Sequence, residues 1–229
     1  MRLNGMNRLH AIVAPAGVVL SLLLVAAPLA AQSSMPPGKG TAFKDTSPIK
    51  PPAGAPIAIY EFEDMECPAC ARAFPMVHQA VEHYKIPLVR HDFPLGPSHP
   101  WSFEAAVDAR YFQDKVSPRA ADEYRGAVFA AQINISNKED LLNFTRRFFQ
   151  SHGMQMPFVV DPTGQLAKEV REDRALGDKV GLNETPTIFV CTQNNWVQIM
   201  DPTLLPQTIE MIEAKIKVAT PVQKKPAGH

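Results

Sequence analysis

The chain predicts an α/β domain whose two halves are separated by a block of helices, and three observations predict it. Four short runs, at 57–62, 86–93, 187–191 and 196–200, read as strands. Between the second and third runs, apolar residues recur every three to four positions, the period of an amphipathic helix. A Cys-x-x-Cys, Cys67-Pro68-Ala69-Cys70, stands where the first strand hands over to the first helix.

The elements follow in order. Ile57 to Phe62 is an apolar run that reads as a buried strand. Behind the cysteines, Phe74, Val77, Val81 and Tyr84 fall at helical spacing over 71–84. Ile86 to Phe93 forms a second strand. Helices then follow: Phe103, Val107 and Tyr111 mark one, and Ser117-Pro118 opens another with Tyr124 and Val128 inward. Ser136-Asn137-Lys138-Glu139 fits a capping box, ahead of Leu141, Phe144 and Phe148, and Gly153 ends that helix. Asp161-Pro162 opens one more, with Leu166 and Val170 inward, reaching to about Gly181. Thr187 to Cys191 and Trp196 to Met200 form a hairpin around Gln193-Asn194-Asn195. Leu205, Ile209, Ile212 and Ile216 give a closing amphipathic helix over 204–218.

The cysteine pair carries the chemistry. Pro68 suits the first helical position, where its missing N–H is no loss, so Cys67 falls at or beside the N-cap. There the positive end of the helix favours a thiolate. A low-pKa thiolate with a second thiol three residues on equips a chain for thiol–disulfide exchange. The motif has two other readings. A structural disulfide across so short a loop adds little stability. A zinc site needs four ligands, and the only other cysteine is Cys191; His78 and His83 share a helix but bring no second Cys-x-x-Cys or His-x-x-x-His. The sequence therefore gives no metal ligand set and implies no cofactor.

The strand–Cys67-Pro68-Ala69-Cys70–helix unit, the acidic segment Glu61-Phe62-Glu63-Asp64-Met65-Glu66 before it and Thr185-Pro186-Thr187 before a late strand together resemble the DsbA-like thiol:disulfide oxidoreductases of the thioredoxin superfamily. The resemblance covers residues 57–218. It implies a thioredoxin-like fold with a helical insertion between its two halves, here at about 97–160. Glu184 stands where many relatives carry glycine, and Cys191 is a third thiol the pattern does not require. Cys67 is expected to be the exposed nucleophile, and Cys70, one turn in, the resolving thiol. The resemblance implies a cis Pro186 facing the cysteines, with Thr185 free to pair an extended substrate segment; an ordinary strand-entry proline is the alternative. It also implies that Glu61, six residues before Cys67, is a buried acid with a raised pKa that exchanges protons with Cys70. An exposed edge glutamate is the alternative.

The N-terminus bears on location. Arg2, Arg8 and His10 precede an uncharged, Val/Leu/Ala-rich stretch from Ala11 to Ala31, which reads as a signal peptide over 1–31 cleaved after Ala31 or Ser33. An uncleaved membrane anchor is the alternative. Either places the domain in the periplasm or otherwise outside the cytoplasm, where disulfides persist. Without those residues the net charge falls from zero to −2, which argues against nucleic acid as a partner. Residues 32–56, with six prolines, are expected to form an extended lead-in without packed structure, and 219–229 a loose tail. The expected function is oxidation of substrate protein thiols, recharged by a membrane partner such as a quinone-linked oxidase. A reductase or isomerase would use the same residues. A chaperone-like binding module, with Trp101, Phe103, Phe112 and Phe129 serving a client surface, is the alternative of another class.

Overall fold

The computed structural model describes residues 43–219; the leader, the first part of the lead-in and the tail lie outside the described residues. Strand β1 (Ala58–Glu63) leads through the cysteine motif into helix α1 (Pro68–Tyr84), and β2 (Leu88–Asp92) follows. Helices α2 (Ser102–Lys115), α3 (Pro118–Ala131), α4 (Lys138–Ser151) and α5 (Gln165–Val180) come next, then β3 (Thr187–Cys191), β4 (Trp196–Ile199) and α6 (Leu205–Ala219). The sheet runs in the order β2-β1-β3-β4. β1 lies parallel to β2 and antiparallel to β3, so Glu61 stands beside Arg90 on one side and Ile188 on the other.

β1 is buried along its whole length, which explains why it reads as a run rather than an alternation. One of its faces, through Ile57 and Ile59, packs with Ala73, Val77 and Ala80 of α1 and Ile209 and Ile212 of α6. The other face, through Ala58, Tyr60 and Phe62, packs with Phe93, Val180 and Phe189. The insertion has its own core, built from Phe112 of α2, Tyr124 and Val128 of α3, and Leu141, Phe148 and Phe149 of α4. Met65, Cys67 and Cys70 join that same cluster, so the cysteine motif sits at the junction of sheet domain and insertion.

Three local expectations are corrected. The cap of α4 falls one residue later than the Ser136 box: Asn137 Oδ1 accepts from the amides of Glu139 and Asp140, and Asp140 reaches back to the Ser136 amide. Asn137 thereby satisfies two of the orphan amides at the helix start. Helix α5 starts at Gln165 rather than at Asp161-Pro162, because Gly164 enters with φ 71° and Asp161 instead accepts from the Ala167 amide. Finally, residues 43–56 are packed. Phe43 meets Phe189 and Trp196 edge-on, and Ile49 is 2% exposed among the residues behind the sheet. The prolines keep this strap extended but do not keep its two apolar side chains in water.

Candidate active site

Cys67 is the N-cap of α1, extended at φ −78° and ψ 119°, with Pro68 in the first turn. Nothing caps the helix through a side-chain oxygen, so its first amides face the cysteine sulfur. Both thiols are free. Cys67 is 7% exposed and Cys70 1%. The expectation of an exposed nucleophile is therefore corrected in degree: the loop of Thr185 covers Cys67, and its thiol donates to the Thr185 carbonyl at 3.3 Å. The Thr185–Pro186 bond is cis. Tertiary folding thus brings Cys67, Cys70, Thr185 and Pro186 together.

The two sulfurs are driven apart in acidity. The Cys67 pKa is lowered to about 5, first by the Cys70 thiol hydrogen-bonded to it; burial opposes this, and Thr185 and the amides of Cys70 and Ala69 reinforce it. Cys70 is pushed well up, first by burial and then by the bond it gives to Cys67. Thr185 Oγ1 is buried with no partner while Cys67 is a neutral thiol giving its proton to the carbonyl. A thiolate has no proton to give and accepts instead. The Thr185 hydroxyl is then the donor at hand, so one residue serves both protonation states.

The loop before the cysteines is gripped from outside. Asp64, buried, sends its amide to Cys70 Sγ at 3.4 Å while its carboxylate accepts from the amides of Glu66 and Leu95 and from His99. Glu66 accepts from the Trp101 amide at 2.9 Å. Gln132, in a 3-10 turn just after α3, donates to the carbonyls of Met65 and Cys67.

Glu61 and Glu63 follow Ile59 on the face of β1 that α1 covers, and both are 1% exposed. The cations there are shared unevenly. Arg125 donates to Glu63 at 2.6 Å and to Asp92 at 2.7 Å. Arg90 lies 3.3 Å from Glu63 but 4.0 Å from Glu61, and gives its hydrogen bonds to Asp122 and His78. Glu61 Oε2 is left with no hydrogen-bond partner. Its pKa is raised to about 8, by burial first and by Glu63 next. Glu61 is thus buried in the strand and not exposed at an edge. The carboxylate whose field reaches Cys70, however, is that of Glu63. Asp92 is held at about 2: burial opposes ionisation, but Arg125 and Arg110 overcome it. Asp173 of α5 completes the chain, bonded to Arg110 and to His91.

Sequence reading named Glu63 and Asp64 only as part of the acidic segment, and gave no role to Asp64, His99, Gln132 or the Glu63–Arg125–Asp92 group. One signal was available for the last. Charged residues at Glu61, Glu63, Arg90 and Asp92 are out of place in strands this apolar, and the parallel register sets Glu61 beside Arg90 and Glu63 beside Asp92.

A dithiol at a helix start, beside the Thr185–Pro186 loop, on a sheet interrupted by helices, is the DsbA-like form of the thioredoxin fold. The thioredoxin family model matches residues 52–198, and the chain belongs to that family. Similar solved structures include α-DsbA1 of Wolbachia pipientis (16% identity, TM-score 0.57, covering 74% of this chain and 92% of that one). ScsC of Proteus mirabilis is 17% identical with a TM-score of 0.57, covering 71% and 70%. The thiol-disulfide exchange protein α-DsbA2 of W. pipientis is 17% identical with a TM-score of 0.55, covering 71% and 85%. Among curated proteins, a Na(+)/H(+) antiporter NhaA 1 of Mycobacterium sp. (strain KMS) is 31% identical over 145 residues, 59% of this chain. This chain spans 22% of that relative's length. Among the described residues no helix is long and apolar enough to cross a membrane.

Proposed function

We propose that this chain is an extracytoplasmic protein disulfide oxidoreductase that oxidises substrate thiols through the Cys67/Cys70 pair. The observation that carries the reading is the split acidity: Cys67 lowered to about 5 beside a Cys70 pushed well up. In the oxidised protein, a substrate thiolate attacks the Cys67 sulfur and Cys70 leaves, taking up a proton. A second substrate thiolate then attacks the substrate sulfur of the mixed disulfide, and Cys67 leaves as a stable thiolate. Two electrons and one proton, that on Cys70, pass to the protein, the other substrate proton goes to solvent, and the substrate gains a disulfide. Thr185 and Pro186 form the wall along which an extended substrate segment lies. Glu61 holds a proton on the face of β1 beneath α1, where it serves the Cys70 step.

The same acidity supports oxidation as the direction. Stabilising the Cys67 thiolate stabilises the reduced form and makes the disulfide the stronger oxidant. Ala69 adds no cationic side chain to help. The potential is expected above the roughly −270 mV of thioredoxin and below the roughly −120 mV of the most oxidising relatives. Such a protein requires a membrane partner, such as a quinone-linked oxidase, to recharge it. The leader at 1–31 and the printed name of α-DsbA2, a thiol-disulfide exchange protein, support the reading. Equilibration in glutathione buffers tests it. A potential in the stated interval supports oxidation, and one at or below the thioredoxin value makes the chain a reductase.

A further inference from the structure

We propose that Gln132, carried by the insertion, is a positioning residue for Cys67 and sets how oxidising the Cys67/Cys70 pair is. The proposal rests on reading that pair as the redox centre.

Gln132 Nε2 donates to two backbone oxygens at once, Met65 O at 2.9 Å and Cys67 O at 3.1 Å. The carbonyl of Cys67 also accepts the first helical bond of α1, from Ala71. The peptide plane between Cys67 and Pro68 is thereby held from two directions. This matters because that plane has few other restraints: Pro68 has no N–H, and no side chain caps the helix. The amides of Ala69 and Cys70 that serve the sulfur follow directly on that plane.

The anchor itself is firm. Gln132 opens a 3-10 turn that follows α3 directly, and the turn is closed by the Ile135 amide on the Gln132 carbonyl. Ile135 is 5% exposed within the insertion core. The side chain of Gln132 thus reaches from a fixed backbone onto the redox loop, with the positive end of its amide dipole toward Cys67. Cys67 is anionic only when reduced. The interaction therefore favours the thiolate over the disulfide, which is the sense that raises oxidising power. Ordinary fold stabilisation would support both redox forms alike and leave the balance unmoved.

The test uses the full chain with Gln132→Leu, which removes the donor at similar volume, and Gln132→Glu, which replaces it with an acceptor. Three readouts are needed: the Cys67 thiolate titration by ultraviolet absorbance, the equilibrium with reduced and oxidised glutathione, and the urea midpoint of each redox form. For Gln132→Leu the titration is expected to move up. The glutathione equilibrium should shift by about three- to tenfold toward the protein disulfide, the scale of one or two lost hydrogen bonds. At 29.6 mV per tenfold that is a potential lower by about 15–30 mV. Gln132→Glu should shift it further in the same direction, and the excess should vanish when its carboxylate is protonated. Wild-type titration and equilibrium in both variants, with only lowered urea midpoints, would overturn the proposal. Failure of the wild type itself to form a Cys67–Cys70 disulfide in glutathione would instead bring down the redox reading, and this proposal with it.

Discussion

The sulfur of Cys67 lies 3.3 Å from the backbone carbonyl oxygen of Thr185, 118 positions further along the chain. The surroundings of the Cys67 thiol are therefore made by two separate pieces of sequence. Helix α1 supplies the amides, and the loop before β3 supplies the cover and the hydroxyl. The partner thiol, Cys70, lies on the buried side of the helix turn and is 1% exposed.

This division assigns different phenotypes to the two thiols. Cys67→Ser is expected to abolish exchange with a dithiol peptide. Cys70→Ser should keep the first attack and lose the second, accumulating mixed disulfides visible on non-reducing gels. Trapping by the Cys67→Ser protein but not by Cys70→Ser would reverse the assignment.

The lowered Cys67 pKa makes the stability of the reduced protein depend on pH. A group ionised more readily in the folded state stabilises the fold above its unfolded pKa and loses that effect as pH falls through the folded one. The unfolded value is the ordinary cysteine one, about 8.5, and the folded one is about 5. Urea midpoints of the reduced protein should therefore fall, relative to Cys67→Ser, between about pH 8 and pH 5. A difference that does not change across that window would contradict the shift.

Glu61 works with the opposite sign. Its folded pKa, about 8, exceeds its unfolded value, so the folded state binds the extra proton and stability declines as pH rises from about 4.5 to 8. Glu61→Gln keeps the shape and removes the titration. It is expected to flatten that decline and to stabilise the protein at pH 7 by about 1–3 kcal/mol. If Glu61 also serves the Cys70 step, the same variant slows exchange and alters its pH profile. An unaltered stability–pH curve would show the carboxyl to be ionised in the folded protein.

Arg125 bridges two buried carboxylates, Glu63 and Asp92, and is itself 2% exposed. Arg125→Met leaves both acids without their shared cation and should cost about 3–5 kcal/mol in a denaturant titration. Adding Glu63→Gln should return part of that loss, since one of the stranded charges is gone. A double variant no more stable than the single one would show that Glu63 draws nothing from Arg125.

Gly177 marks where α5 lies against the sheet. A methyl group there would stand 2.4 Å from two ring carbons of Phe93, which is fully buried and has no room to turn. Gly177→Ala should destabilise by about 1–3 kcal/mol, although alanine is the better helix former. Gly177→Ala combined with Phe93→Leu should recover some of this.

The parts of the molecule legible in the sequence are those that repeat a local rule. β1 and β3 stand out as apolar runs, and α6 carries a clear stripe through Leu205, Ile209 and Ile212. Pro68 alone placed Cys67 at a helix start. What stayed hidden depends on register and on approach in space. Arg125 sits beside Tyr124 in a helix whose stripe gives no hint that an arginine turns inward. Asp64 meets His99 across 35 positions, and Gln132 meets Met65 across 67. No periodicity encodes such pairs. The packing of Phe43 and Ile49 was hidden for a simpler reason: a proline-rich segment resembles a linker whether or not its few apolar residues find a groove.

Cys191 lies at the far end of β3 from Thr187, paired with Ala58 and Trp196 in the sheet and fully buried on the face away from α1. Burial raises its pKa to about 11. A protein that passes oxidising equivalents with an odd number of thiols runs the hazard of locking itself into a wrong bridge. Here the strand acts as a spacer and the apolar packing as insulation. The third sulfur is neither ionised nor within reach of the other two, so Cys67 and Cys70 are left to pair only with each other inside the molecule.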